Sequence, residues 1–227
     1  MVFLHWGMLK ERLGGVFMTS FRLRERGARA NGAEKKRIIL DAAQELFGTY
    51  GYSGTTMKMV SEKAGVAFGL VSHYFGNKEE LFMTAGFSMV DAVLLRVRVE
   101  MSRARSGIEA IEIFTETYLS YTTEHRRRFS ILIRCSPFSD VEHNVDRGRI
   151  AEKFLEIIRE IENCLKRGIA DGSIRNVPIR ETAFMIYGSI VGAVRTSILT
   201  PYELPHLYNT AQQFIVSSLI PKSTERD

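Results

Sequence analysis

The sequence predicts an all-α protein in which a small N-terminal helix-turn-helix domain precedes a larger helical domain. Apolar residues recur at spacings of three and four along most of the chain, and residues that cap helices precede these segments. No Val/Ile alternation bounded by turns indicates a strand. The 227 residues, 45% of them hydrophobic and 25% charged, can bury a core, which excludes disorder of the whole chain.

The segment 1–30 is predicted to be a flexible basic arm, because it holds an arginine cluster and scattered glycines without sustained helical periodicity. The charged residues 10–12 interrupt the apolar run that a signal peptide requires, so we expect no secretion. Met8 and Met18 are alternative translation starts, and residues before the true start would not belong to the translated protein. The clustered arginines are Arg22, Arg24, Arg26 and Arg29.

The helix-turn-helix domain is predicted over 31–77, and its first helix runs from Asn31 to about Tyr50. Asn31 and Glu34 have the spacing of a capping box, in which side chain and backbone of the two residues exchange hydrogen bonds. Gly51 is predicted to end this helix in the left-handed conformation. The apolar stripe of the helix is formed by Ile38, Ile39, Ala42, Ala43, Leu46 and Phe47.

Two short helices follow, at 57–63 and at 67 to about 75. A hydroxyl of Thr55 or Thr56 is predicted to cap the first of them. Gly65 lies between them and can adopt a positive φ, so the pattern predicts a helix-turn-helix with its tight corner at Gly65. A generic αα-corner shows the same pattern, so this spacing alone leaves DNA binding open.

The second domain is predicted over 78–221, with a polar tail at 222–227. Asn77 and Glu80 form a second predicted capping box, and Ser106 and Glu109 form a third. The predicted helices run from about 77 to 97, 108 to 124, 129 to 135, 145 to 170 and 178 to 199, with a last one from Pro201 or Pro205 to about 219.

Positive charge is concentrated at the N-terminal end of the chain. Residues 1–78 contain 12 Lys and Arg against 6 Asp and Glu, whereas the remaining residues contain 19 and 20. A basic module joined to a near-neutral one favours a polyanionic partner for the N-terminal part, either nucleic acid or an anionic membrane surface. Composition leaves open the alternative that the N-terminal segment is a basic tail without a binding partner.

Several short motifs between Thr55 and Phe82 follow one another at specific spacings. They are Thr-Thr, Ala-Gly-Val, Gly-Leu, His-Tyr-Phe and Asn-Lys-Glu-Glu-Leu, and Ala42-Ala-Gln-Glu-Leu-Phe and Gly51-Tyr precede them. This pattern, over about residues 34–82, resembles the TetR family of bacterial transcriptional regulators. Beyond residue 82 only the number and length of the helices match. The resemblance implies a DNA-binding domain followed by a ligand-binding and dimerisation domain, with repression as the common mode of action.

The resemblance implies that residues 67–74 form the recognition helix, which lies in the major groove of operator DNA. We expect base reading by apolar contacts with thymine methyl groups, since Phe68 stands where a polar residue is common and Gly69 permits close approach. Packing of Phe68 against the first helix is the alternative. The arginine arm is expected to add minor-groove or phosphate contacts. The predicted DNA-binding residues are Thr55, Thr56, Ala67, Phe68, Gly69, Leu70, Ser72, His73, Tyr74 and Lys78.

The second domain contains many aromatic and methionine residues, among them Phe129, Phe184 and Tyr187. At helical spacing such residues usually form core, but the resemblance also implies a cavity for a small lipophilic effector. Candidate polar contacts for such a ligand are Tyr121, Arg134 and His143. The predicted pocket residues are Phe87, Met89, Phe114, Tyr118, Tyr121, Arg134, Phe154 and Met185.

The last two helices are predicted to form a homodimer interface. Gly188 and Gly192 give the penultimate helix a flank where another helix can come close, and Phe214 and Ile215 belong to an apolar stripe on the last. Two copies would build a four-helix bundle and present two recognition helices about 34 to 36 Å apart, which matches a palindromic site. Packing of both helices within one chain is the alternative.

Other function classes find little support in the sequence. The longest uncharged apolar stretch, 187–194, is shorter than the roughly 20 residues of a membrane span. Cys135 and Cys164 make no disulfide framework or zinc site, which favours a reducing cytoplasm and inert thiols. Tyr74 and Lys78 match the Tyr-x-x-x-Lys of short-chain dehydrogenases, but no glycine-rich turn after a strand precedes them. We therefore expect no enzyme, cofactor, metal or membrane partner, and a membrane-surface module using the basic arm is the remaining alternative.

Overall fold

The computed structural model describes residues 31–135 and 145–221, which form nine helices and no strand. The predicted all-α fold class is therefore confirmed, whereas the arm 1–30, His143 and the tail 222–227 lie outside the described residues. The helices are α1 (31–50), α2 (Met57–Ala64), α3 (Phe68–Phe75), α4 (Lys78–Met101), α5 (Gly107–Glu124), α6 (Arg126–Arg134), α7 (Arg147–Ala170), α8 (Ile179–Leu199) and α9 (Leu207–Leu219).

Local hydrogen bonds determine where several helices begin and end. The side chains of Thr56, Asn77 and Ser106 each accept a hydrogen bond from the backbone N–H three residues later, at 2.9 to 3.3 Å. These predicted N-caps of α2, α4 and α5 are confirmed. The reciprocal half of the predicted capping box at Asn77 is wrong, because Glu80 pairs with Arg149, and the carboxylate of Glu109 accepts chiefly from Arg105 N, one residue before the cap of α5. Gly51 and Gly65 have φ values of 74° and 65°, as the turns after α1 and α2 were predicted to require.

The predicted capping box at Asn31 is wrong. Asn31 is already helical, and the Glu34 carboxylate accepts two hydrogen bonds from the Arg37 guanidinium, at 2.6 and 3.0 Å. That hydrogen-bonded partner lowers the pKa of Glu34 below its usual value. The carboxylate therefore pairs along the helix surface with the residue three positions later and does not reach back to the start of the helix.

Helix α5 lies at the centre of the second domain, where it packs against α4, α6, α7, α8 and α9. Its first turn is held by the corner that follows α7, because Gly107 N donates to Asp171 Oδ2 at 2.7 Å and Ile108 N donates to Ser173 Oγ at 3.1 Å. Hydrogen bonds from Ser173 and Gly107 lower the pKa of Asp171. These bonds fix the N-terminal end of α5 to the C-terminal end of α7, and both helices contribute residues to one core.

The helix-turn-helix segment is joined to the second domain by contacts of α1 as well as by the continuous helix α4. The rings of Phe47 and Phe82 lie 5.0 Å apart in an edge-to-face arrangement, and the buried Gln44 amide donates to Ala85 O at 3.2 Å. Helix α4 also packs against both α3 and α5. The predicted domain boundary between residues 77 and 78 stays a prediction, since α4 belongs to both packing layers.

Helix α6 makes a second connection between α1 and the rest of the chain. Arg128 pairs with Asp41 at 2.6 Å, and Arg134 Nε donates to Gly48 O at 3.1 Å. The two backbones are close at Gly48, where an added Cβ would lie 2.8 Å from Arg127 O. The position of α6 therefore fixes the position of α1.

Helix α8 is the one helix in the described part of the chain that is long and apolar enough to cross a membrane. Its most apolar window has a mean hydropathy of 1.4, although only 33% of that window is buried. Core helices of soluble proteins meet the same criterion, and Ile186, Tyr187 and Ile190 are buried against the rest of the chain. The apolar surface of α8 is thus divided between this core and an exposed side.

Candidate nucleic-acid interface and internal cavity

The first turn of α3 projects away from the body of the protein. Ala67, Phe68 and Gly69 are exposed, whereas Val71 and Phe75 on the opposite side are buried. The Phe68 residue is 53% exposed, so the alternative that it packs in the core is wrong. No side chain caps the N-terminus of α3, whose dipole favours an anion at this end.

Gly69 has no structural role that requires glycine within the chain. Its φ is not positive, unlike that of Gly65, and a Cβ added to it would meet no atom within 4 Å. Glycine within a helix costs about 0.5 to 1 kcal/mol relative to alanine. Residue 69 thus lacks a side chain at a position where only another molecule could approach the helix closely.

The two threonines before α2 have different environments. Thr55 is fully buried and its hydroxyl donates to Gly51 O at 2.8 Å, so the hydroxyl stabilises the turn and does not face a phosphate. Thr56 is exposed, and its Oγ1 accepts from Met59 N at the start of α2. We therefore keep Thr56 in the candidate interface and remove Thr55 from it.

Two lysines near α3 contact aromatic rings, whereas three other cations of the domain have carboxylate partners. Lys78 Nζ lies 4.4 Å from the ring centroid of Tyr52, and Lys36 Nζ lies 5.7 Å from that of Phe75. In contrast, Arg37, Lys58 and Lys63 form ion pairs with carboxylates. An aromatic contact holds a lysine side chain in place without a carboxylate, so both ammonium groups can still pair with an anion.

The other predicted interface residues of α3 differ in their exposure. Leu70, Ser72 and Tyr74 are partly buried, and His73 is exposed. Thr56 and Lys78 lie at the starts of α2 and α4, and both of these helices pack against α3. The sequence analysis missed Lys36, which contacts Phe75 at the end of α3, and Tyr52, whose ring lies beside Lys78; the basic pair at 35–36 was the available signal.

A small cavity lies between α5, α6 and α8. Its volume is about 20 Å³, which is enough for about one water molecule, since one water needs at least ~10–15 Å³. The hydroxyl oxygens of Tyr118 and Tyr187 lie 3.4 Å apart at its wall, and burial raises the pKa of Tyr118 to about 12. Both phenols are therefore neutral. The lining residues are Tyr118, Phe129, Leu132, Ile133, Tyr187, Val191, Val194 and Arg195.

Of the predicted pocket residues, Tyr118 lines this cavity and the other seven do not. Arg134 instead donates to the backbone carbonyls of Gly48 and Thr49, and Met185 is 71% exposed on the far side of α8. The rest belong to other parts of the packing: Met89, Phe114 and Phe154 are buried in the core, Phe87 is partly buried, and the ring of Tyr121 makes a tilted contact with that of His125. Those predictions rested on residue type, which does not distinguish a cavity wall from ordinary core.

An apolar groove of about 400 Å³ runs between α8 and α9. Met185 and Phe214 border it, and Phe214 is 66% exposed. Gly188 and Gly192 are also exposed on α8, and a Cβ added to either would meet nothing within 4 Å. Ile215 differs from the prediction, because it is buried beneath the groove by its own chain.

The described residues contain no group of three His, Cys, Asp or Glu side chains that could hold a metal ion. Cys135 and Cys164 are both buried, and burial raises the pKa of each thiol to about 12. The thiols are therefore protonated near neutral pH and pack as small apolar groups, as predicted.

Comparison with known proteins agrees with this arrangement. The family model of bacterial regulatory proteins of the tetR family matches residues 39–84. The fatty acid metabolism regulator protein of Bacillus subtilis (strain 168) is 24% identical over 185 residues, which cover 80% of this chain and 93% of that protein.

Two solved structures have the same fold. That of the transcriptional regulator FadR from Bacillus subtilis in complex with stearoyl-CoA has a TM-score of 0.70 and 22% identity, and the match covers 80% of this chain and 98% of that one. That of AibR in complex with isovaleryl coenzyme A and operator DNA has a TM-score of 0.63 and 19% identity, covering 82% and 98%. The helix-turn-helix segment of this chain is therefore similar to that of the tetR family of bacterial regulatory proteins, and its fold is shared with these two regulators over about four fifths of its length.

Proposed function

We propose that this chain is a ligand-responsive transcriptional repressor, which binds a palindromic operator as a homodimer and is released from it by a small lipophilic effector. The observation that carries the proposal is the exposed first turn of α3. There Phe68 projects outward, and Gly69 lacks a side chain for no reason internal to the chain. A major groove that receives this turn explains both features, because Gly69 allows close approach and Phe68 can contact thymine methyl groups.

The homodimer is supported by the exposed side of α8. A helix that is apolar on all sides is normally covered on all sides, and α8 has its second apolar side open to solvent. Gly188 and Gly192 leave room along this side for another helix, and Met185 and Phe214 border the adjoining groove. A second copy related by twofold symmetry would cover the same surface on both chains.

The cavity between α5, α6 and α8 is the proposed effector site. The related FadR structure holds stearoyl-CoA and the AibR structure holds isovaleryl coenzyme A, so an acyl thioester is the effector class that we propose. The cavity has room for little more than a water molecule, so an effector has to move its walls apart.

Helix α6 is the wall whose movement reaches the DNA-binding domain. Its residues Phe129, Leu132 and Ile133 line the cavity, and Arg128 and Arg134 on the same helix contact α1. An effector that displaces α6 therefore displaces α1 and the reading helix packed on it. A coupling free energy of about 1–3 kcal/mol changes operator affinity about 5- to 150-fold, which is sufficient for a switch.

The first test is selection of bound fragments from random DNA by the full-length chain, followed by titration with salt. We expect a palindromic site whose affinity falls roughly 100-fold between about 50 and 200 mM salt, as expected for about four neutralised phosphates. Anionic vesicles provide the comparison, because a membrane-surface module would bind them through residues 1–30 and select no DNA. Failure to recover any salt-sensitive DNA complex would overturn the proposed function.

The coupling route predicts the behaviour of Arg128→Ala. An ion pair of this exposure contributes up to about 1 kcal/mol, so operator affinity without effector should change little. The fold decrease in operator affinity that stearoyl-CoA causes should become about two- to fivefold smaller. Fluorescence anisotropy of labelled operator measures both quantities. Arg159→Ala on α7 is the matched control, because it removes a longer ion pair (3.7 Å, to Glu152) away from α1. If stearoyl-CoA lowered the operator affinity of Arg128→Ala as much as that of the unchanged chain, the route through α6 would be wrong.

A further inference from the structure

The effector cavity reaches the protein surface at the seam between α6 and α8. Most of its lining residues are buried, whereas Val191 and Arg195 of α8 are partly exposed. The opening must lie beside these two residues. Arg126 is on the opposite side of the seam, one helical turn before the lining residue Phe129, and its side chain crosses to α8.

Two arginines lie at the seam, Arg126 on α6 and Arg195 on α8. Helix α6 holds four arginines and no acidic residue. Arg126 donates to the backbone carbonyl of Ser197 at 2.9 Å and to its hydroxyl at 3.5 Å, and Arg195 donates to Ile133 O at 3.3 Å. Within the described part of the chain, neither guanidinium takes part in an ion pair, although arginines elsewhere in the domain do, such as Arg98 with Glu160.

The interior of the cavity has the opposite character. Its wall is formed by aliphatic and aromatic side chains, and the phenols of Tyr118 and Tyr187 lie there as neutral groups, hydrogen-bonded to each other. A charged group would lose its hydration if it entered this space, whereas an apolar chain would not. The cavity therefore distinguishes the two ends of a ligand.

From this distribution we infer that the effector is an amphipathic anion, whose apolar chain enters the Tyr118–Tyr187 cavity and whose anionic head is bound by Arg126 and Arg195 at its mouth. This inference rests on the proposed effector site. Guanidinium groups bind phosphate and carboxylate in the same way, through paired N–H donors. The shared chemistry admits two sources of the anion, a free fatty acid and the phosphates of an acyl thioester of coenzyme A.

The test is calorimetric titration of the full-length chain with stearoyl-CoA, stearate, coenzyme A and monostearin, an uncharged amphiphile that carries the same acyl chain. We expect stearoyl-CoA or stearate to bind at least about tenfold more tightly than coenzyme A or the uncharged amphiphile. Binding of stearate alone would identify a carboxylate head, and binding of stearoyl-CoA alone would identify phosphates. Equal binding of charged and uncharged amphiphiles would overturn the inference.

The double variant Arg126→Ala/Arg195→Ala tests the two residues directly. Its affinity for the anionic amphiphile should fall at least about tenfold, while its affinity for monostearin stays within about twofold of that of the unchanged chain. The charge-retaining variant Arg126→Lys/Arg195→Lys should recover most of the loss, and Arg159→Ala should behave as the unchanged chain. Thermal unfolding of each variant checks that it is folded.

Operator binding separates this inference from the proposed function. If the alanine double variant binds the anionic amphiphile as tightly as the unchanged chain, the head-group site is wrong. Salt-sensitive operator binding by both proteins would in that case still support the proposed repressor. If neither protein binds DNA, the proposed function itself fails. Loss of effector response in the alanine variant, with operator affinity retained, supports both.

Discussion

Replacing Gly69 by glutamine is expected to lower operator affinity at least about 100-fold, or roughly 2.8 kcal/mol, without loss of folding. The added side chain would project from the first turn of α3 into space that is empty in the free protein and occupied by DNA in the complex. The free energy of unfolding should stay the same or rise by up to about 0.5–1 kcal/mol, because a helical residue with a Cβ replaces glycine. Few substitutions are expected to affect binding and stability in opposite directions.

Fluorescence anisotropy on the selected operator and urea denaturation measure the two effects of Gly69→Gln. Ala170→Gln, at an exposed site in the last turn of α7, adds the same side chain far from α3 and should leave the affinity unchanged. Gly65→Ala supplies the opposite case, because the positive φ at the corner makes any Cβ strained and lowers stability. Operator affinity in Gly69→Gln equal to that of the unchanged chain would refute the placement of α3 in the groove.

Features that depend on neighbouring residues were predictable from the sequence. The caps at Thr56, Asn77 and Ser106 involve a side chain and a backbone N–H three residues later, and the corner at Gly65 depends on one residue's φ. The errors concern competition between partners. Glu34 had both a capping amide and Arg37 within reach, and the stronger charge-assisted hydrogen bond with Arg37 forms in its place.

The cavity was not predictable in the same way, because its walls come from distant parts of the chain. Tyr118 and Tyr187 are 69 residues apart, and they meet only after α5 and α8 pack together. Met185 is two residues before Tyr187 but lies on the other side of α8, in the groove with Phe214. Since α8 is apolar on both sides, hydrophobicity could not indicate which side faces the cavity and which faces a partner.

The exposed side of α8 leads to the second large effect. The double variant Met185→Asp/Phe214→Asp is expected to be a folded monomer, because both residues are largely exposed and their replacement leaves the core intact. In a dimer the two carboxylates would be buried in an apolar groove without partners, which is strongly unfavourable. Linking two binding heads raises affinity about 10²–10⁴-fold, so the monomer should bind the palindrome at least about 100-fold more weakly.

Analytical ultracentrifugation gives the oligomeric state and anisotropy gives the affinities for the full palindrome and for a half-site. A pure dimerisation defect leaves the weak half-site affinity unchanged, whereas damage to the reading helix lowers both, so the ratio of the two affinities isolates the interface. Leu95→Asp on α4 is the matched control, since Leu95 is 65% exposed and apolar but lies outside the groove. If the double variant stayed dimeric while Leu95→Asp became monomeric, the interface would lie on α4 and the role assigned to α8 would be wrong.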